Sequence, residues 1–468
     1  MDRNNRPLRH RSRWRVAVLH GCCAFAISNV VHAADAPPIH ESKGAPDNLE
    51  LSGSIRARYE ALDGQARPGL DASPALLSYR TILSAEYRWR NLRFGGDLYD
   101  SRAYSSDAGD GISTSEVNAL EPVQAYVVAD LADAFGAGTS AAVQAGRFMI
   151  NIGSRRLVAA DDYRNTTNGY TGLKVDLKGA AIPAATLIYT HPQQRLPDDL
   201  PALLDNDIEL DRESSALTLW GGLLAFPGPV GASALEVAYF DMREQDRNDA
   251  PTRDRRLHTW SARLIKNPEP GAWDYDIEGI HQSGSIRAST APSAGVLEVD
   301  AYFYHVELGY QSAGAWQPHL SFEYDEASGD DSARKFGRFD TLFGMRRADL
   351  APSGIYSAVA RANVRAPGLR FEVTPSQRLD AFMSYKALWL DSRTDSFSST
   401  GVRDAAGNSG DFAGHQLDVR ARYWLIPRLL RLEGDVVLLF KGEFLNDAPN
   451  APHTGDTHYY SLNVTLSI

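Results

Sequence analysis

After its first fifty positions the sequence alternates between apolar and charged residues with a period of two. In 49–60, Leu49, Leu51, Gly53, Ile55, Ala57 and Tyr59 fall on one side. Glu50, Ser52, Ser54, Arg56, Arg58 and Glu60 fall on the other. Successive side chains of a β-strand point to opposite faces, so such a stretch lies between two different surroundings. Residues 77–90 repeat the design, with Leu77, Tyr79, Leu83, Tyr87 and Trp89 opposite Arg80, Glu86 and Arg88. A tight turn at Arg90-Asn91 leads into Leu92, Phe94 and Leu98 opposite Arg93 and Asp97. The pattern returns at 273–279, 302–310, 417–423, 430–441 and 460–468.

A soluble sandwich could alternate in this way, but three features point to a membrane barrel. Many segments reach the ~9–11 residues of a tilted transmembrane strand, where soluble strands average ~5–6. Aromatic residues gather near strand ends, as interfacial girdles require: Tyr59, Tyr87, Trp89, Trp273, Tyr310, Trp316, Tyr423, Trp424, Tyr459 and Tyr460. Connections alternate between about eight short turns and about nine long polar loops. The expected fold is therefore all-β: a transmembrane antiparallel β-barrel of about 18 strands, with short periplasmic turns and long extracellular loops. The least regular stretch, 358–374, is interrupted by Pro367-Gly368 and reads as one bent strand, because two would make the count odd. Low mean hydropathy is no objection, since alternating strands never average apolar.

The N-terminus fits export. Residues 1–15 carry six arginines, 16–31 are mostly apolar, and Val31-His32-Ala33 supplies a small residue for cleavage. This describes a signal peptide over 1–33, followed by a flexible lead-in at 34–47 and the barrel at 48–468. A lipoprotein site at Leu19-His20-Gly21-Cys22 fits less well, because the apolar run continues past the cysteine. Both cysteines, Cys22 and Cys23, fall in the signal, so the mature chain has no disulfide and no thiolate metal site. The formal net charge is −11, and losing the signal makes it more negative, which argues against nucleic acid as a partner. The expected location is the cell outer membrane, with lipid as a partner and the barrel-assembly machinery reading the C-terminal strand.

If the apolar rows meet lipid, the opposite rows line the lumen. They carry Arg56, Arg58, Arg80, Arg88, Arg93, Lys174, Arg263, Arg420 and Arg422, interleaved with carboxylates such as Glu86, Asp97, Asp176, Asp276 and Glu278. Such charges can pair across strands and stiffen the wall. They can also form a constriction that selects anions.

The segment Ala145-Gly146-Arg147-Phe148-Met149-Ile150-Asn151-Ile152-Gly153-Ser154-Arg155-Arg156-Leu157, with Asp162-Tyr163-Arg164-Asn165-Thr166 and Asn168-Gly169-Tyr170-Thr171-Gly172, resembles the alginate-export family of outer-membrane barrels. Gln124-Ala125-Tyr126, Ala327-Ser328-Gly329-Asp330, Phe339-Asp340-Thr341-Leu342-Phe343 and Trp389-Leu390 match as well. The resemblance implies a barrel whose cationic lumen passes an anionic uronate polysaccharide passively. It also implies that 146–172 folds partly inward, with Arg147, Arg155, Arg156 and Arg164 facing the solute. The alternative is that these arginines pin the loop to wall carboxylates such as Asp176 or Asp97. The chain departs from the dedicated exporter at Ile426-Pro427, where that protein has a long periplasmic turn. This argues against a periplasmic scaffold partner. The last residue is Ile468 where an aromatic is usual, so recognition by the assembly machinery is expected to be weaker.

The leading expectation is a passive channel for an anionic poly- or oligosaccharide, and the second is a general or small-anion porin. A hydrolase is disfavoured: His258, His281, His305, His319, His415 and His458 lie on separate strands with no nucleophile or metal-ligand spacing. No enzyme activity and no cofactor are expected. The acidic run at 325–331, with Asp325, Asp330 and Asp331, could offer oxygens to Ca²⁺ but lacks the spacing of a calcium loop.

Overall fold

The computed structural model describes residues 48–468 apart from 106–110, 180–181, 229–230, 248–249, 332–333 and 348. The signal and lead-in therefore lie outside the described residues. The strands are β1 (Leu49–Asp63), β2 (Ala75–Trp89), β3 (Leu92–Ser105), β4 (Asn118–Ala132), β5 (Thr139–Phe148), β6 (Tyr170–Gly179), β7 (Ile182–Pro192), β8 (Leu217–Pro227), β9 (Ser233–Glu244), β10 (Arg256–Lys266), β11 (Ala272–Arg287), β12 (Val296–Gln311), β13 (His319–Ala327), β14 (Lys335–Phe336), β15 (Val364–Ser376), β16 (Leu379–Trp389), β17 (Phe412–Ile426), β18 (Leu430–Lys441) and β19 (Thr457–Ser467). Two short helices, α1 (Leu200–Asp205) and α2 (Glu443–Asp447), sit in loops. β14 is a two-residue piece lying parallel to β12. The other eighteen strands form the wall, each antiparallel to its chain neighbours, and β19 pairs with β1 to close the cylinder.

The wall separates the two rows as the alternation predicts. Ile55 and Tyr59 are 46% and 52% exposed, whereas Arg56 and Arg58 between them are 6% and 2%. On β19, Leu462, Val464 and Leu466 face out while Ser461 and Asn463 are buried. Tyr87, Trp89, Trp273, Tyr310 and Tyr423 are exposed near the short turns, and Tyr59 and Tyr460 near the long loops. Two residues assigned to the girdles from sequence point inward instead. Tyr459 is fully buried and donates to Glu60, and Trp424 lies beneath the Arg431 guanidinium. Each is the chain neighbour of an outward tyrosine, so alternation sends it to the other face.

β15 is a single strand, as expected, but 358–363 belong to the loop before it. Pro367 keeps its place opposite Tyr324, and the register shift falls between Val373 and Ser376 rather than at Pro367-Gly368. The connection after β17 is the tight turn 427–429.

The main difference from the sequence reading lies in the long loops. The seventh (328–363) and eighth (390–411) fold into the lumen instead of standing in solvent, beside the third (149–169), which turns inward as the resemblance implies. Ile150, Leu157, Val158, Phe339, Leu350, Ile355, Tyr356, Val359, Leu390, Phe397 and Val402 are all buried and share one apolar cluster with inward wall residues such as Phe240 and Phe303. Burying that apolar surface is what holds the loops inside.

Candidate functional site: the filled lumen and its basic vestibule

Loops three and seven meet as a short ribbon inside the barrel. Ala159 N donates to Phe343 O at 3.1 Å, Phe343 N to Leu157 O at 2.9 Å and Met345 N to Arg155 O at 3.0 Å. Gly344 permits this approach: a Cβ there would lie 1.9 Å from the Arg156 carbonyl oxygen. Tyr163 OH shares a hydrogen bond with Tyr459 OH on β19, and Tyr356 OH donates to Gln416 on β17.

The arginines singled out from sequence are distributed over this plug and its walls. Arg56 and Arg80 stand directly opposite each other on β1 and β2, an unfavourable like-charge pair. Both donate to loop carbonyls: Arg56 to Tyr163 and Arg164, Arg80 to Asp162 and Arg164. The carbonyl dipoles converging there offset the repulsion. Arg58 donates to Asn463 and covers the Tyr163 ring at 4.1 Å. Arg156, 4% exposed, reaches Glu278 at 2.7 Å, Asp349 at 2.9 Å and Asp276 at 3.2 Å. Burial acts to lower its pKa, but Asp349, Asp276 and Glu278 together hold it well above the ordinary value. Arg155 meets Asp162 at 2.8 Å and leaves Nε and Nη1 buried without a hydrogen-bond partner. Arg164 pairs with Asp161 and Asn168. Arg147 on β5 binds Glu121 at 2.6 Å and Glu213 at 2.8 Å, tying the fourth loop (193–216) to the wall.

The remaining basic wall residues pair locally. Arg263 holds Asp276 and Glu236, Lys174 meets Asp176, and Arg422 meets Asp380. Arg420 lies 4.7 Å from the Phe382 ring centroid. Arg93 binds Asp130, and exposed Arg88 contacts Glu50 and Glu86. Asp325 is buried against His305 and Lys386, Asp330 accepts from Gly337 N, and Asp331 is exposed. Among the described residues the group that brings three potential ligands together is instead Asp274, Glu307 and His319.

The sequence reading missed an extracellular vestibule. A cavity of about 560 Å³ opens between the fifth loop (245–255) and loops seven and eight. Arg253, Arg255, Arg338, Arg346 and Arg361 line it, with Glu244 and Asp340 as its carboxylates and Phe336 as an aromatic wall. Three of these arginines are spoken for. Arg255 grips Glu244 and Asp340, Arg338 grips Asp395, and Arg361 grips Asp349.

The other two have no carboxylate partner among the described residues. Arg253 donates to the Arg287 carbonyl and covers the Phe336 ring at 4.6 Å. Arg346 Nη1 is buried without a hydrogen-bond partner among the described residues. Burial, opposed by Asp161 and reinforced by Arg164, Arg361 and Arg67, brings the Arg346 pKa down to about 10. Among the described residues, two of the five arginines of the vestibule thus stand without an ion pair. The signal available in the sequence was a run of Arg334, Arg338, Arg346 and Arg347 around Phe336 and Phe339 in an otherwise acidic chain.

A closed eighteen-strand cylinder with an apolar exterior and a charged interior is the architecture of an outer-membrane β-barrel channel. The chain belongs to the alginate export family, whose model matches residues 47–456. It is similar in fold to OpdL of Pseudomonas aeruginosa, at 12% identity and a TM-score of 0.55 over 90% of this chain and 99% of that one. OccK8 (OprE) of the same organism aligns at 14% identity and a TM-score of 0.55 over 90% and 98% of the two chains. Acinetobacter baumannii OccAB2 aligns at 14% identity and 0.56, also over 90% and 98%. No curated protein matches the sequence.

Proposed function

We propose that this protein is a passive channel for anionic carbohydrate of the uronate type, and that its vestibule receives the carboxylate groups. The observation that carries the reading is the pair of guanidiniums, Arg253 and Arg346, that line one cavity without an ion pair among the described residues. Guanidinium binds carboxylate by paired hydrogen bonds, and an apolar wall such as Phe336 suits the face of a sugar ring. Thr252, Thr341, Ser398 and Ser399 line the same cavity and offer hydroxyls to a sugar. Family membership supports the same substrate class. Arg155, Arg156 and Arg164 hold the plug in place, and once it is displaced Arg56, Arg58, Arg80, Arg420 and Arg422 on the wall are left facing the path. A chain of weak sites lets a charged polymer advance without being trapped.

A porin for small anions would use the same vestibule, and the short turn at 427–429, which offers no periplasmic gate, favours it. Liposome swelling separates the two. The carbohydrate reading expects uronate oligomers to enter faster than neutral oligomers of equal size, and R253A/R346A to abolish that preference. Equal rates for charged and neutral sugars in the wild type would refute it.

A further inference from the structure

We propose that Asp274, Glu307 and His319 form a binding site for a divalent transition-metal cation, best suited to zinc, in the periplasmic half of the lumen. The three residues sit on three successive strands, β11, β12 and β13, beside the short turns that join them. One ligand atom from each lies within 4.8 Å of the others. Ligands of a tetrahedral zinc with bonds of about 2.1 Å stand roughly 3.4 Å apart, so small side-chain rotations complete the set. One imidazole nitrogen with two carboxylates suits zinc better than the all-oxygen coordination preferred by calcium or magnesium.

Two further observations point to a cation here. The first is a gap in the wall. His319 on β13 reaches Asp274 on β11 across β12, and Nε2 comes within 3.0 Å of the carboxylate. The crossing runs over Gly309, which stands opposite Asp274 in the register. A Cβ there would lie 2.3 Å from His319 Nε2 and 2.5 Å from Asp274 Oδ1. Any side chain at 309 would fill the space between the donors.

The second is charge. Lumen carboxylates nearby are held by arginine or lysine: Asp276 by Arg263, Glu323 and Asp325 by Lys386, and Glu372 by Arg370. Neither Asp274 nor Glu307 has an arginine or lysine within ion-pair distance among the described residues. Glu307 stands in register between Asp276 and Glu323, adding to the local negative charge. Arg370 and His305 act on Glu307 from beyond ion-pair distance, and among the described residues the positive candidate in contact is His319, 3% exposed, whose Nδ1 has no hydrogen-bond partner and sits 3.6 Å from Glu372. Two carboxylates and an imidazole, with Asp274 and His319 buried and Glu307 half-buried, make a donor set that a dication completes. A bound ion would clip three strands together at the end of the lumen opposite the vestibule.

The test uses untagged, full-length barrel folded in detergent micelles and stripped with a chelator. Zinc chloride is titrated by calorimetry, and the temperature at which the folded band converts to the unfolded one is read on gels. The wild type is expected to take up one zinc per barrel and to convert at a higher temperature with zinc than without. E307Q, which keeps the side-chain volume, should weaken binding at least tenfold and abolish the zinc-dependent shift. G309A should do the same while leaving all three ligands in place. Folding of each variant is checked by its heat-modifiable mobility. Zinc uptake by the wild type no greater than by D274N/E307Q would overturn the proposal. So would wild-type affinity in H319Q, which would show that the imidazole is not a ligand.

Discussion

Arg156→Ala isolates the contribution of one buried cation to plug docking. Arg156 joins loop three to Asp276 and Glu278 on β11 and to Asp349 on loop seven. Without it, Asp276 keeps Arg263 and Asp349 keeps Arg361. Glu278, 4% exposed, would be left among the described residues with the Ser261 hydroxyl, which donates at 2.6 Å. Stranding one buried charge of a pair costs about 3–5 kcal/mol. The wall around it is held by the continuous ladders of β10, β11 and β12, so the cost falls on the seating of the plug. At 1.36 kcal/mol per decade, the docked-to-undocked ratio drops by about 10²–10⁴. Single-channel recordings in planar bilayers should show R156A opening far more often than wild type while the barrel stays heat-modifiable. Adding E278Q removes the stranded charge and should return opening towards wild type. If R156A opens as rarely as wild type, or E278Q gives no rescue, the plug is not held by this network.

Leu462→Arg places a guanidinium at mid-strand on the lipid face of β19, where Leu462 is 55% exposed. The cost is ~2–4 kcal/mol at the bilayer midplane, so folding yield in lipid vesicles should fall, and an unchanged yield would place this row elsewhere. A pH effect is expected in the second and fourth loops. Burial pushes the Glu116 carboxyl up to about 7, against the Ser113 hydrogen bond, and burial with nearby Glu121 pushes Asp211 up to about 7. Folded values above the unfolded ones mean that this packing is tightest below the ordinary carboxylate range and weakens as pH rises towards 7. Hydrogen exchange at 111–119, corrected for its intrinsic pH dependence, should speed up between pH 5 and 8 in wild type and change less in E116Q.

The wall was legible because its cause is local. A strand between lipid and lumen must alternate at every step, and a slip of one residue would turn every arginine of 49–60 into the membrane. Strand count followed from the same logic, since short turns and long loops alternate along the chain. What fills the lumen has no such signature. Leu350, Ile355, Tyr356 and Val359 follow no period, and their partners lie far away in sequence, such as Gln416 for Tyr356. In a chain of this composition they read as ordinary loop residues, and only closure of the cylinder brings them against Phe303 and Phe240.

The charges show the same limit from the other side. Counting inward positions identifies Arg56 and Arg80 as lumen residues, but not that they face carbonyls of loop three instead of water. Arg253 and Arg346 come from loops whose sequence gives no face at all, yet they are the two vestibule arginines without an ion pair among the described residues. Alternation sorts residues by which side of a wall they occupy. Whether a lumen cation is available to a solute depends on what the loops have already supplied to it. A carboxylate brought in by a folded loop, as Asp349 is to Arg156, withdraws an arginine from transport. A loop that arrives without one, as at Arg346, leaves its guanidinium without an ion pair among the described residues.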